Sequence, residues 1–108
     1  MFELLKRRDE RLRGLREELR QRVRQDLRDA LHRLMPGVDV FLFGSLTRPH
    51  GFHATSDIDI ALTKEPEESP YRLQVKLEEM LRRPVDMILL SECRFRDKIE
   101  REGEQWTS

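Results

Sequence analysis

The chain has 108 residues, of which 37% are hydrophobic and 39% are charged. This length suits one small domain with a single core and excludes two independent domains, and the apolar content excludes a disordered chain. Twenty-one Lys and Arg balance twenty-one Asp and Glu, so no global charge draws the chain toward nucleic acid or a membrane surface.

The cysteine content and the hydropathy pattern indicate a cytoplasmic protein. Cys93 is the single cysteine, which excludes an intramolecular disulfide and suits a reducing compartment. No apolar run approaches the roughly 20 residues that a membrane-spanning helix needs. We therefore expect one domain over residues 1–108 that is not bound to a membrane.

The first predicted element is a long amphipathic helix over about residues 9–35. Arg residues mostly occupy one face, and apolar residues recur on the other at spacings of three and four. The apolar positions are Leu12, Leu15, Leu19, Val23, Leu27, Ala30, Leu31 and Leu34. Pro36-Gly37 ends the helix, and Gly14, about 1 kcal/mol less favourable than Ala, predicts fraying upstream. Residues 1–34 carry eleven Lys or Arg against seven Asp or Glu, which suggests a basic helix beside an acidic site.

Two strands follow, and a loop joins them. Residues 38–43 are β-branched and aromatic and are bounded by turn residues, which predicts a strand that ends at Gly44-Ser45. Residues 46–56 are expected to form a short helical turn and a loop. Residues 57–62 alternate, with Asp57, Asp59 and Ala61 on one face and three apolar side chains on the other.

The remaining pattern predicts helix, strand and helix. Ser69-Pro70 predicts the start of a helix whose buried stripe is Leu73, Leu77, Met80 and Leu81. Residues 85–90 form a nearly continuous apolar strand, and Ser91 is expected to cap a last helix that carries Phe95 and Ile99. The tail over residues 103–108, with Trp106, is predicted to be loose. The fold class is α+β, an α/β sandwich with a small mixed sheet of three or more strands, the long N-terminal helix and two further helices.

Three carboxylates carry the chemical prediction. Asp57 and Asp59 lie two apart on a strand, so they point to the same side about 6–7 Å apart. Asp86 interrupts an apolar strand, where an ionised carboxylate is costly unless it is paired or bound to a metal. If the two strands are neighbours, the three carboxylates converge, and Mg²⁺ would relieve their repulsion while recruiting polyphosphate.

The pair Gly44-Ser45 adds a phosphate-binding element to these carboxylates. An Asp-x-Asp sequence alone is common in turns and at strand ends, so it indicates little by itself. Glycine lets the backbone approach a ligand closely, and backbone amides and a serine hydroxyl bind phosphate oxygens. A strand that ends in Gly-Ser, an Asp-x-Asp strand and a later strand with a third Asp together favour a nucleotide site.

The segment LFGSLTRPHGFHATSDIDIAL resembles the signature of the DNA polymerase beta-like nucleotidyltransferase superfamily. The shortness of the chain is typical of the minimal (MNT) branch of this superfamily. The resemblance covers about residues 36–101 and places the family's Gly-Ser pair and three carboxylates at Gly44, Ser45, Asp57, Asp59 and Asp86. Arg48 aligns with a basic residue that the family follows directly with Gly. Here Pro49-His50 intervenes, so the loop is about one residue longer than usual.

The resemblance implies a reaction and a partner. Asp57, Asp59 and Asp86 would be the catalytic residues and hold two Mg²⁺ ions, while Gly44, Ser45 and Arg48 would bind the nucleotide, ATP. The implied product is a nucleoside monophosphate, AMP, joined to a hydroxyl. Stand-alone members of the branch resemble antitoxins that attach AMP to a tyrosine of a HEPN-domain ribonuclease toxin, which predicts that toxin as the partner in a hetero-oligomer.

Three alternatives remain from the sequence. The same fold neutralises a toxin by binding it without turnover, or it serves as the catalytic subunit of a small-molecule nucleotidyltransferase of the antibiotic-modifying type. Nucleic-acid binding through the Arg-rich helix is disfavoured, because that helix has no interleaved aromatic residues and its acids dilute the positive charge.

Overall fold

A computed structural model of the chain describes residues 2–108, so Met1, the first residue of the predicted domain, lies outside the described residues. In order, the elements are helix α1 (Phe2–Leu34), strand β1 (Asp39–Phe43), a 3-10 turn (Gly44–Thr47), strand β2 (Ile58–Leu62), helix α2 (Pro70–Leu81), strand β3 (Val85–Leu89), a second 3-10 turn (Leu90–Glu92), helix α3 (Arg96–Glu102) and strand β4 (Glu104–Thr107). The predicted α+β fold is confirmed, with its mixed sheet and its long N-terminal helix.

The four strands form one sheet in the order β3-β2-β1-β4. β1 pairs antiparallel with both β2 and β4, and β2 pairs parallel with β3. α2 provides the long crossover that parallel strands require, since a tight turn cannot return the chain to the same end of the sheet. The C-terminal end of β1 therefore lies beside the N-terminal end of β2, which brings Gly44 next to Asp59.

The main core lies between one face of the sheet and the helices α1 and α2. Because side chains alternate along a strand, Val40 and Leu42 of β1 face this core, where Leu27 and Leu31 of α1 meet them. The opposite face of the sheet is covered by α3, whose Ile99 packs in a smaller apolar cluster. α3 has only seven residues, so it leaves part of that face open.

α1 is longer than predicted and only its second half is packed. It begins at Phe2 rather than near residue 9, and Gly14 does not interrupt it. Every residue from 2 to 16 is exposed. Leu12 and Leu15 are 43% and 54% exposed, so their predicted place in the buried stripe is wrong. The helix rises about 1.5 Å per residue, and its first half extends beyond the sheet that covers the second half.

The buried stripe of α2 and two predicted caps also need correction. Leu73 and Leu77 are buried, but Met80 is 41% exposed at the border of the stripe, near the end of the helix. Ser69 precedes α2 without a side-chain capping hydrogen bond. Ser91 cannot cap α3, because it lies in the second 3-10 turn and Phe95 is the residue that precedes the helix.

The predicted loose tail is a strand. β4 pairs with β1, with Trp106 opposite Val40, and Trp106 is buried. The guanidinium groups of Arg24 and Arg28 lie 5.2 and 4.6 Å from the centre of its ring. The indole nitrogen donates a hydrogen bond to Glu104 at 2.7 Å. The polar sequence of the tail gave no sign of a strand. The strand forms because it pairs with β1, which is distant in sequence, and because Trp106 packs into the core.

Over residues 2–108, none of the helices combines the length and the apolar character that crossing a membrane requires.

Candidate functional site

Two of the three predicted carboxylates lie side by side where β2 and β3 pair, and the expected convergence of all three on one point is not seen among residues 2–108. Asp59 of β2 and Asp86 of β3 are register partners in the parallel pair, and Asp57 comes one residue before β2 begins. Neighbouring strands lie about 4.8 Å apart, so the backbones of Asp59 and Asp86 are at that separation. The predicted position of Asp86 depended on β2 and β3 being neighbours, and the sheet has them as neighbours.

Gly44 and Asp59 are in close contact at the end of β1. Phe43 is the register partner of Asp59, and Gly44 follows it with a φ of 77°. A Cβ atom on Gly44 would overlap the carboxylate oxygen Oδ2 of Asp59. Both the positive φ and the lack of space require glycine here. The glycine thus lets the carboxylate lie directly against the backbone of the first 3-10 turn.

Asp59 is half-buried among like charges. Burial, and then the charges of Asp86 and Asp57, raise the pKa of Asp59 from 3.8 to about 6. Burial disfavours an ionised carboxylate, and neighbouring negative charges add to that cost. A cation bound at this point would reverse both effects, because it would supply the opposite charge that the three side chains lack.

The donor set fits a hard cation that shares its ligands with a substrate. Within residues 2–108, no three His, Cys, Asp or Glu side chains converge enough to enclose a metal ion by themselves. Mg²⁺ does not need such a cage, since it is usually held by one or two carboxylates and completes its shell with water and phosphate oxygens. The repulsion between Asp59 and its neighbours is the observation that makes the carboxylates suited to it.

The first 3-10 turn is held by its own hydrogen bonds. The hydroxyl of Thr47 donates to the carbonyl of Gly44 at 2.7 Å, and the amide of Arg48 donates to the carbonyl of Ser45 at 3.2 Å. Ser45 is half-buried and Arg48 is exposed. The structure thus brings Gly44 against Asp59, while Ser45 only follows it in the turn and Arg48 lines the cleft beside Asp86.

Arg20 of α1 supports this turn and was missed by the sequence analysis. It is the one buried charged residue among residues 2–108, and its Nε donates to the carbonyl of Leu46 at 2.8 Å. Arg24 donates to the same carbonyl at 3.2 Å. The spacing along the helix could have identified it. Arg20 lies three residues before Val23 and seven before Leu27, so it shares their buried face and not the face of the solvated arginines.

The longer loop is hydrogen-bonded to α1 through Glu17. His50 adopts a φ of 62°, and its backbone amide donates to Glu17 at 3.2 Å. The Nη1 of Arg20 also donates to Glu17, at 2.8 Å. Burial opposes ionisation of Glu17, but hydrogen bonds from Arg20 and His50 together lower its pKa below 4.5. The Pro49-His50 departure from the usual pattern therefore has a fixed place against the helix.

A cleft of about 700 Å³ opens beside Asp86, and Asp57, Asp59 and Ser45 are not among the residues that line it. One side is formed by the first 3-10 turn and its flank, through Gly44, Thr47 and Arg48. Phe43, Asp86 and Ile88 of the sheet also line it. This volume lies in the range of small-molecule sites.

Comparison with known proteins agrees with this geometry. The family model described as "Polymerase beta, Nucleotidyltransferase" matches residues 25–107. None of the curated proteins matches the chain in sequence.

Two solved structures share the fold. The chain is 25% identical to a protein in the "Crystal structure of the toxin-antitoxin with AMP-PNP", with a TM-score of 0.60 over 78% of this chain and 73% of that one. It is 23% identical to a chain of the toxin-antitoxin MntA-HepT, with a TM-score of 0.56 over 82% of this chain and 73% of that one. The second likeness shows the fold alone.

Proposed function

The chain belongs to the polymerase beta nucleotidyltransferase family, and from this premise we propose that it transfers AMP from ATP to a protein hydroxyl in a Mg²⁺-dependent reaction. The observation that carries the proposal is the pairing of Asp59 and Asp86 in register beside Gly44. That pairing supplies clustered negative charge next to a turn whose backbone a phosphate can approach.

The proposed reaction is a displacement at phosphorus. The acceptor oxygen forms a bond to the α-phosphorus of ATP, and the bond from that phosphorus to the oxygen bridging to the β-phosphate breaks. Pyrophosphate leaves with the electron pair of the broken bond, and the hydroxyl proton passes to a carboxylate. Such chemistry depends mainly on positioning and on neutralising charge.

Each residue of the site has a role in this proposal. The amide of Gly44 and the hydroxyl of Ser45 bind the β- and γ-phosphates, and Arg48 contacts them from the rim. Asp57 and Asp59 would hold two Mg²⁺ ions, with Asp86 sharing one of them, and the ions would neutralise the triphosphate and polarise the α-phosphate. Asp86 would also accept the proton of the attacking hydroxyl.

The proposed acceptor is a tyrosine of a HEPN ribonuclease toxin, which makes the chain the antitoxin of the pair. Support comes from the solved relative at 25% identity, which is a toxin-antitoxin complex with AMP-PNP. AMP-PNP is an ATP analogue that resists cleavage between its β- and γ-phosphates. A nucleotide in that relative agrees with a nucleotide in the cleft beside Asp86.

Transfer of label from α-³²P-labelled ATP tests the proposal. The chain is incubated with Mg²⁺ and the protein encoded by the adjacent reading frame, and we expect label on a tyrosine of that partner. Asp59→Asn and Asp86→Asn should each lower the rate by about a hundredfold or more, because each removes charge that the transition state needs. Asp26→Asn, at an exposed position of α1, is the matched control and should keep the wild-type rate.

Other outcomes would assign a different function. Tight partner binding without any label, in wild type as in Asp59→Asn, would indicate neutralisation by binding alone. Label on an added aminoglycoside and none on the partner would indicate a small-molecule nucleotidyltransferase. A wild-type rate in Asp59→Asn would contradict the proposed site altogether.

A further inference from the structure

The cleft beside Asp86 has a second side that the proposed chemistry does not use. It consists of Cys93, Arg94, Phe95 and Lys98, which we call the α3 wall. The same cleft is lined by Gly44 and Arg48, the residues to which the phosphates are assigned. Whatever lies beyond the triphosphate in the cleft therefore meets the α3 wall.

Phe95 is the unusual member of the wall. Its side chain is 67% exposed, although burial of a phenylalanine ring is normally favourable. The backbone of the wall is fixed, because the amide of Cys93 donates to the carbonyl of Leu90 at 3.2 Å and the amide of Phe95 donates to the sulfur of Cys93 at 3.3 Å. An exposed aromatic ring on a fixed turn at the rim of a cleft is a surface for stacking.

The cations of the wall outnumber the one acid beside it, Glu102, which also lines the cleft. Arg94 and Lys98 are exposed, and within residues 2–108 neither forms an ion pair. Ile88 of β3 adds apolar surface on the sheet side of the cleft. An aromatic ring beside an apolar floor matches a flat heterocycle, since bases stack on aromatic side chains, and the unpaired cations favour a negatively charged ligand in the cleft as a whole.

We propose that the α3 wall is the base-binding side of the nucleotide site, with the ring of Phe95 stacked on the nucleobase. This inference rests on the proposed nucleotidyltransferase function and extends it, because it names the residue that distinguishes a nucleoside triphosphate from a plain polyphosphate. Phe95 is assigned a role in binding and none in the transfer step.

Calorimetric titration of the full chain with two probes in Mg²⁺ tests this inference. The probes are ATP and inorganic tripolyphosphate, which lacks the base and the sugar. Phe95→Ala should weaken ATP binding roughly tenfold, as expected for loss of one stacked base, and leave tripolyphosphate binding within about twofold of wild type. Phe95→Tyr keeps the ring and should bind ATP as wild type does.

Tyr71→Ala is the matched control, because Tyr71 is 73% exposed on α2 and does not line the cleft. It should change neither affinity. Unchanged thermal unfolding of Phe95→Ala is expected too, since the ring is mostly in solvent, and it would show that a lost affinity is not lost folding.

The remaining outcomes overturn the inference or its premise. Equal ATP affinity in wild type and Phe95→Ala would overturn it. If label transfer to the partner fell in Phe95→Ala at the same time, the α3 wall would be part of the binding site for the acceptor protein. An equal loss for both probes would also overturn it. If wild type bound neither probe, the proposed function itself would fail, with Phe95 irrelevant to that result.

Discussion

Asp59 shows how one side chain of the proposed site can oppose stability. Its pKa is raised to about 6 in the folded chain, chiefly by burial, while its ordinary value is 3.8. The folded state therefore holds the proton more tightly than the unfolded state does. The contribution of Asp59 to the free energy of unfolding therefore falls as the pH rises from about 4 to about 6. Above pH 6 it stays at the lower level, because the carboxylate of the folded chain is then ionised at a cost.

Asp59→Asn should consequently stabilise the chain at pH 7.5 in EDTA. The gain is about 1 kcal/mol after allowance for solvent screening of a half-exposed group, and it should shrink toward zero near pH 4, where the native carboxyl is protonated. Urea unfolding at both pH values measures it. Asp26→Asn should show no such gain, and an equal gain at both pH values would contradict the electrostatic origin.

Gly44 shows that the need for glycine at a position can be predicted from sequence, while the group that causes it is found only in the structure. The Gly-Ser pair at the end of a strand indicated close approach of a ligand to the backbone. In the structure the first close neighbour of Gly44 is Asp59 itself, whose carboxylate occupies the space of a Cβ. The glycine therefore serves the carboxylate site as well as the proposed phosphate contacts.

At the scale of elements, α1 stabilises the turn that carries Gly44 and Ser45. Arg20 links the carbonyl of Leu46 to Glu17, and Glu17 links onward to the amide of His50. The helix thus contacts the turn and the following loop through one connected set of hydrogen bonds. Such a set holds the turn in one arrangement, as the proposed phosphate contacts would require.

Arg20→Ala should loosen this turn. We expect a loss of about 1–3 kcal/mol of stability, since the carbonyl of Leu46 keeps only its longer bond from Arg24. We also expect the KM for ATP to rise more than kcat falls, which a purely structural role would not produce. Arg22→Ala, on the exposed side of the helix, should stay within about 0.5 kcal/mol of wild type. Equal effects of the two substitutions would refute the supporting role.

Local patterns predicted the elements that surround the site, and long-range pairing determined the rest. Alternation along β2 correctly put Asp59 and Ala61 on one face, and the apolar run around Asp86 correctly predicted β3. The adjacency of β2 and β3 was a condition the sequence left open, because it depends on how α2 crosses the sheet. β4 was missed for the same reason, since its four polar-rich residues become a strand only against β1.

At the scale of the whole molecule, the first half of α1 stands apart from the packed domain. The described chain measures 56 × 29 × 19 Å, and residues 2–16 are all exposed. The family model begins to match only at residue 25, inside the packed half of the helix. The segment before residue 17 therefore contributes little to the core.

Removal of residues 2–12 should leave the domain stable. We expect the free energy of unfolding to stay within about 0.5 kcal/mol of the full chain, while the helical circular dichroism signal falls. Removal of residues 2–22 is the contrasting variant, because it deletes Arg20 and uncovers Val23, and it should lose about 2 kcal/mol or more. Similar losses from both truncations would show that the exposed half of α1 does contribute to stability.

The position of β1 between β2 and β4 also has a consequence for the order of folding. Asp39 at its start and Thr107 of β4 are 68 residues apart in sequence and joined by a hydrogen bond. Closing so long a loop costs chain entropy before its contacts form, so this pairing is slow compared with the formation of α1 or α2. We therefore expect the strand that leads into Gly44 to gain its second neighbour late, after the ribosome has released nearly all of the described chain.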